Sequence, residues 1–131
     1  MRKTLIALAT LIPTALPAQD AATQAKQILP LIRAQWASVR EWEGQDLIYF
    51  TMLDTWRCGI ESVEYGINTD APDQVWEQPD CDPNNPNAIP DGHLPYTQTE
   101  LKSVETLSLT VTYKDGDSDT VQYERAAIQI Q

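Results

Sequence analysis

Polar and apolar residues alternate most cleanly between Val104 and Tyr113. Leu107, Leu109, Val111 and Tyr113 share one side of an extended chain. Thr106, Ser108, Thr110 and Thr112 share the other, which is the period of a half-buried strand. Lys114-Asp115-Gly116 follows, then Thr120–Arg125 with Val121 and Tyr123 alternating, a hairpin signature. Facing decides the loop length. A two-residue Asp115-Gly116 turn sets Thr120 against the inward Val111. A three-residue Lys114-Asp115-Gly116 loop, with Gly116 left-handed, sets Leu109 against Val121, Leu107 against Tyr123 and Glu105 against Arg125. The three-residue loop is therefore expected. Ala126, Ile128 and Ile130 then change parity, which marks a bulge near Arg125 or the strand's end.

Upstream, Asp46–Cys81 organises the rest. Leu47–Leu53 is rich in β-formers and apolar on both sides, as a central strand covered on both faces would be. Ile60–Ile67 alternates, with Val63, Tyr65 and Ile67 on one face and Ser62, Glu64 and Gly66 on the other. Asn68, Thr69, Asp70 and Ala71-Pro72 end it, and Val75-Trp76 predicts a short strand. Residues 78–95 hold five prolines and no period, so they read as a long loop.

The stretch Asp20–Gly44 has helical spacing. Ile28, Ile32, Trp36, Val39 and Trp42 recur at steps of three or four. Pro30 divides it. A short helix is expected before Pro30 and a longer one from there to Glu43, with Gly44 as its stop. The alternative is a strand at Trp36–Trp42, where Trp36, Ser38, Arg40 and Trp42 also alternate. Helix is preferred because the stripe outlasts a usual strand.

Five to seven short strands after one N-terminal helix predict a mainly β fold, a small Ig-like antiparallel β-sandwich. The expected division is a signal peptide at 1–18, a helical segment at 19–44 and a sandwich domain at 45–131. Val63-x-Tyr65-x-Ile67-Asn68, a proline-rich loop and a strand ending in Lys114-Asp115-Gly116 together resemble the small sandwich domains of the prokaryotic YEATS-like type. The resemblance covers about half the chain and implies a fold only; it assigns no functional residue.

The first residues change the compartment. Arg2 and Lys3 precede a short apolar run, Leu5 to Ile12, then Pro13, Pro17 and Ala18, the form of a cleaved export signal. The run is too short to span a bilayer. A periplasmic or secreted protein follows, and stable membrane insertion of the mature chain is not expected. In that setting Cys58 and Cys81 read as a disulfide. The formal charge of −10 argues against nucleic acid, whose phosphates it repels.

Candidate chemistry is sparse. Asp80, Asp82 and Asn84 copy the first spacings of a calcium loop, with Asp91 at the closing position. However, Asn85 replaces the pivotal glycine, and Pro83 and Pro86 stiffen the turn. No metal or other cofactor is expected. Asp115, Asp117 and Asp119 read as turn chemistry. His93 has Asp91 two residues away but no evident nucleophile. Of Trp36, Trp42, Trp56 and Trp76, two or three should be structural, with Trp76 partly exposed.

The sequence thus reads as an exported, non-catalytic binding module. It would use the disulfide-tied loop 69–95, with Trp76, Asp73, Glu77, Asp80 and Asp82 as surface candidates. The partner is an unknown protein or glycan, with a basic patch favoured. The alternatives are a structural accessory domain without ligand, or a hydrolase using His93.

Overall fold

The computed structural model describes residues 20–131, so the export signal expected at 1–18 lies outside the described residues. The chain is mainly β, with one N-terminal helix and two four-stranded sheets packed together. Helix α1, Ala21–Ile28, is capped by Asp20, whose carboxylate accepts from the Thr23 amide at 2.7 Å. A 3-10 helix, Leu29–Gln35, continues it through Pro30.

The helix expected up to Glu43 does not form. Ser38–Trp42 is strand β1, antiparallel to β2, Gln45–Tyr49, with Trp42 opposite Gln45. Gly44 is therefore no helix stop. Glu43 and Gly44 both have positive φ, 50° and 78°, as a two-residue hairpin turn of primed type requires. The helical stripe misled because Val39 faces the core in either geometry. Pairing with β2 satisfies a whole strand of backbone groups, which outweighs local spacing.

Strand β2 stops at Tyr49, earlier than Leu53. Phe50 is buried, and Thr51–Thr55 forms the short helix α2, followed by a 3-10 turn, Arg57–Gly59. This connection carries the chain to the second sheet. There β3, Ile60–Ile67, pairs with the short edge strand β4, Gln74–Trp76. Strand β5, Tyr96–Glu100, returns to the first sheet beside β2. Its polar sequence gave no alternation signal. Strands β6, Thr106–Tyr113, and β7, Ser118–Glu124, form the hairpin with Leu109 opposite Val121 and Leu107 opposite Tyr123. Tyr113 donates its amide to the Asp117 carbonyl at 2.8 Å, closing the three-residue loop, and Gly116 has φ +93°.

The parity change at Arg125 marks where the chain changes sheets. A single turn of helix, α3 (Arg125–Ile128), leads into β8, Gln129–Ile130, parallel to β1. The strand orders are β5-β2-β1-β8 and β4-β3-β6-β7. Val39 and Ile48 from the first sheet meet Val63, Leu107, Leu109 and Val111 from the second, and Leu29 and Trp36 close one end. The Trp36 indole donates to the Leu29 carbonyl at 2.8 Å, so its one polar atom is satisfied inside the core.

The acidic hairpin tip is neutralised by the N-terminal segment. Lys26 bonds both Asp115 and Asp117, and Arg33 bonds Asp119 at 2.8 Å. Asp115 also accepts from the Asp117 amide at 3.0 Å, the expected turn chemistry.

Candidate functional site

The segment 69–95 is held first by β4, which pairs with β3, and beyond β4 it is fastened mainly to one short piece of chain, Phe50 to Cys58. Cys58 and Cys81 form the disulfide, with Cα atoms 4.8 Å apart. The Arg57 side chain, buried beneath the loop, donates Nε to the Asp80 carbonyl at 2.8 Å and Nη1 to the Asp54 carbonyl at 3.1 Å. Asn87 donates Nδ2 to the Thr55 carbonyl at 3.0 Å, and the Phe50 amide donates to the Pro95 carbonyl at 2.8 Å. The segment lacks period because no sheet orders most of it; side chains from α2 and its flanks order it instead.

Asp54 is the centre of that arrangement. Its carboxylate is fully buried, accepts from Trp76 Nε1 at 2.8 Å and lies 2.7 Å from His93 Nε2. Burial pushes its carboxyl above the usual range, against the pull of those two hydrogen bonds and of the Arg57 charge. Asp54 was not singled out in the sequence. A carboxylate inside an apolar run, Phe50 to Trp56, is the signal that could have found it, since such a group needs partners.

Trp76 is half-buried and turned inward. Its ring lies 4.6 Å from Phe50 and 5.9 Å from the His93 ring. It packs against the core as a post for the loop, while Trp42 is the exposed tryptophan, 48% accessible. Trp36 is wholly buried and Trp56 packs on the core's edge.

The acidic candidates Asp73, Glu77, Asp80, Asp82 and Asp91 all lie exposed on this segment. None makes an ion pair with a described lysine or arginine, in contrast to Asp115, Asp117 and Asp119. The calcium-like spacing resolves as a turn: Asp82 accepts from the Asn84 amide at 3.0 Å and, through its carbonyl, from the Asn85 amide at 3.1 Å. Among the described residues no three His, Cys, Asp or Glu side chains converge to hold a metal ion. His93 pairs with Asp54 and not with Asp91. No described hydroxyl or thiol is hydrogen-bonded to its ring.

Beside β4 lies a polar pocket of about 260 Å³, lined among others by Arg57, Ser62, Glu77, Gln78, Asp80 and Lys114. Arg57 Nη2 and Gln78 Oε1 are buried there without a hydrogen-bond partner among the described residues.

No protein-family model, curated protein or solved structure matches the chain. The resemblance to YEATS-like sandwiches thus gains no support beyond a two-sheet fold.

Proposed function

We propose that this is an exported, non-catalytic binding module that presents residues 69–95 to a partner protein carrying a basic patch. The observation that carries the reading is the contrast between how the segment's backbone and its carboxylates are treated. Pairing of β4 with β3 and six ties to Phe50–Cys58 hold the segment in one shape: the disulfide, Arg57, Asn87, Trp76–Asp54, His93–Asp54 and the Phe50 amide. Its carboxylates Asp73, Glu77, Asp80, Asp82 and Asp91 stay exposed and free of ion pairs among the described residues. A loop held this way gives up little conformational entropy on binding. Unpaired like charges on a rigid surface steer and select a cationic partner.

The scaffold is read as a small sandwich of Ig-like size, and the compartment as periplasm or secretome, in keeping with the Cys58–Cys81 bond. Trp76 serves as a support for the loop in this proposal, not as the anchor that enters the partner. The hydrolase alternative has a carboxylate beside His93 but no nucleophile within hydrogen-bond reach of it among the described residues.

The test is affinity capture from the native periplasmic or secreted fraction with the tagged mature chain. The combined variant Glu77→Gln, Asp80→Asn and Asp82→Asn should lose the captured protein at moderate salt while keeping its melting temperature. Equal recovery by this variant would move the interface elsewhere.

A further inference from the structure

The outer faces of the two sheets differ in chemistry. In the sheet β5-β2-β1-β8, Val39 and Ile48 point into the core, so their strand neighbours point outward. Tyr49 stands opposite Tyr96, with ring centroids 5.3 Å apart. Two residues further along, Leu47 lies between Arg40 and Gln98. Two further again, Trp42 stands beside Gln45. The Arg40 guanidinium stacks 4.2 Å from the Trp42 ring centroid, which orients that exposed indole. Leu47 is only 4% accessible yet lies outside the core cluster. The other sheet's outer face carries Ser62, Glu64, Thr110 and Thr120, and no aromatic ring among the described residues.

We infer that this face, with Tyr49, Tyr96 and Trp42 as its platform, binds an uncharged polysaccharide chain. Three features choose that occupant. The first is charge. The chain carries −10, but among the described residues the outward positions of the paired strands hold one cation, Arg40, and one anion, Glu100. The face is thus a neutral field on an acidic protein, suited to a neutral ligand. The second is area. The outer residues extend four positions along the strands, about 13 Å, and about 10 Å across three strands. With side chains the face covers on the order of 200 Å², against about 800 Å² per partner in a stable protein interface. A second copy of the chain would not be held by it alone, whereas a few sugar rings would cover it.

The third is chemistry. A pyranose ring offers a flat C–H face and a rim of hydroxyls. Aromatic rings, with their negative faces, receive the C–H side. The Gln45 and Gln98 amides, the Arg40 guanidinium and the tyrosine hydroxyls supply donors and acceptors for the rim. Strands hold these groups in register, so little order is lost on binding. This surface contains none of residues 69–95, although Tyr96 directly follows Pro95, and the inference does not rest on the reading of that segment.

The experiment is native affinity electrophoresis in gels containing hydroxyethylcellulose, xylan, glucomannan, mixed-linkage β-glucan or laminarin. Fluorescence titration with oligosaccharides of any polymer that retards the protein then gives its affinity. At least one polymer should slow the wild-type chain. Tyr96→Ala and Trp42→Ala should each weaken binding tenfold or more, with unchanged circular dichroism. Thr120→Ala on the opposite sheet and Asp80→Asn with Asp82→Asn should bind as wild type. Mobility unchanged by every polymer overturns the inference, as does equal retardation of the Trp42→Ala, Tyr96→Ala double variant. A concentration-dependent dimer that Trp42→Ala dissociates also overturns it, since the face would then belong to a second copy.

Discussion

Asp46 and Arg125 meet in a two-pronged ion pair that ties the end of β7 to β2. Arg125 Nη1 lies 2.6 Å from Asp46 Oδ2, and Nη2 lies 3.0 Å from Oδ1. Asp46 is fully buried and also accepts from the Lys102 and Val104 amides at 2.9 and 3.1 Å. Arg125 donates onward to the Val104 carbonyl at 2.8 Å and to Glu41 at 3.1 Å. Removing one partner of such a pair leaves a buried charge and typically costs about 3–5 kcal/mol. Arg125→Met should destabilise the fold by that order in urea titration. A loss below about 1 kcal/mol would mean that the carboxylate finds water or another cation.

The same pair sets an acid limit. Burial alone would raise the Asp46 carboxyl, but Arg125 and the two amides together hold it down at about 2. The folded value lies below the unfolded one, so ionised Asp46 contributes stability above about pH 4. That contribution fades as pH falls through the folded value of about 2. The shift corresponds to about 2 kcal/mol. Stability measured from pH 5 to pH 2 should fall, and Asp46→Asn should fall less steeply over the same range. Parallel slopes for the two proteins would assign the acid loss to other carboxylates.

Reduction should loosen the loop and lower the melting temperature. The Cys58–Cys81 bond spans 23 positions, a loop for which chain entropy gives about 3 kcal/mol. For a domain of this size that is on the order of 10 °C. Calorimetry with and without reductant reads it directly. Two free thiols titrated in protein purified from an oxidising compartment would refute the bond itself.

Leu109→Ala should cost about 2–5 kcal/mol, since Leu109 is wholly buried between the sheets. Thr110→Ala, on the outer face, loses one exposed hydroxyl contact with Thr120 at 3.0 Å and should cost well under half as much. Equal costs at both positions would contradict the facing of β6.

His93→Ala should free the far limb of the loop without unfolding the protein. It removes the partner that lies 2.7 Å from the Asp54 carboxylate, leaving Trp76 as that group's side-chain donor. The amides of residues 91–94 should exchange with solvent faster by tenfold or more, while those of β6 keep their protection. Uniform acceleration across the chain would show that the Asp54 cluster supports the whole fold.

What could be read from order alone was whatever depends on neighbours in the chain. The β6–β7 hairpin was legible down to its pairs because strand alternation and a three-residue turn admit one facing: Leu109 with Val121, Leu107 with Tyr123. The disulfide followed from two cysteines read together with the export signal expected at 1–18, and the strand Ile60–Ile67 from its alternation. Ser38–Trp42 was not decided locally. Its residues fit a helix as well as a strand, and only hydrogen bonds to Gln45–Tyr49 on one side and the C-terminal Gln129–Ile130 on the other settled the matter. Asp46–Arg125, Asp54–His93 and Tyr49–Tyr96 likewise join residues far apart in the chain. A charge is tolerated inside, and an aromatic pair assembled outside, by what the folded backbone brings near, and no spacing along the chain records that distance.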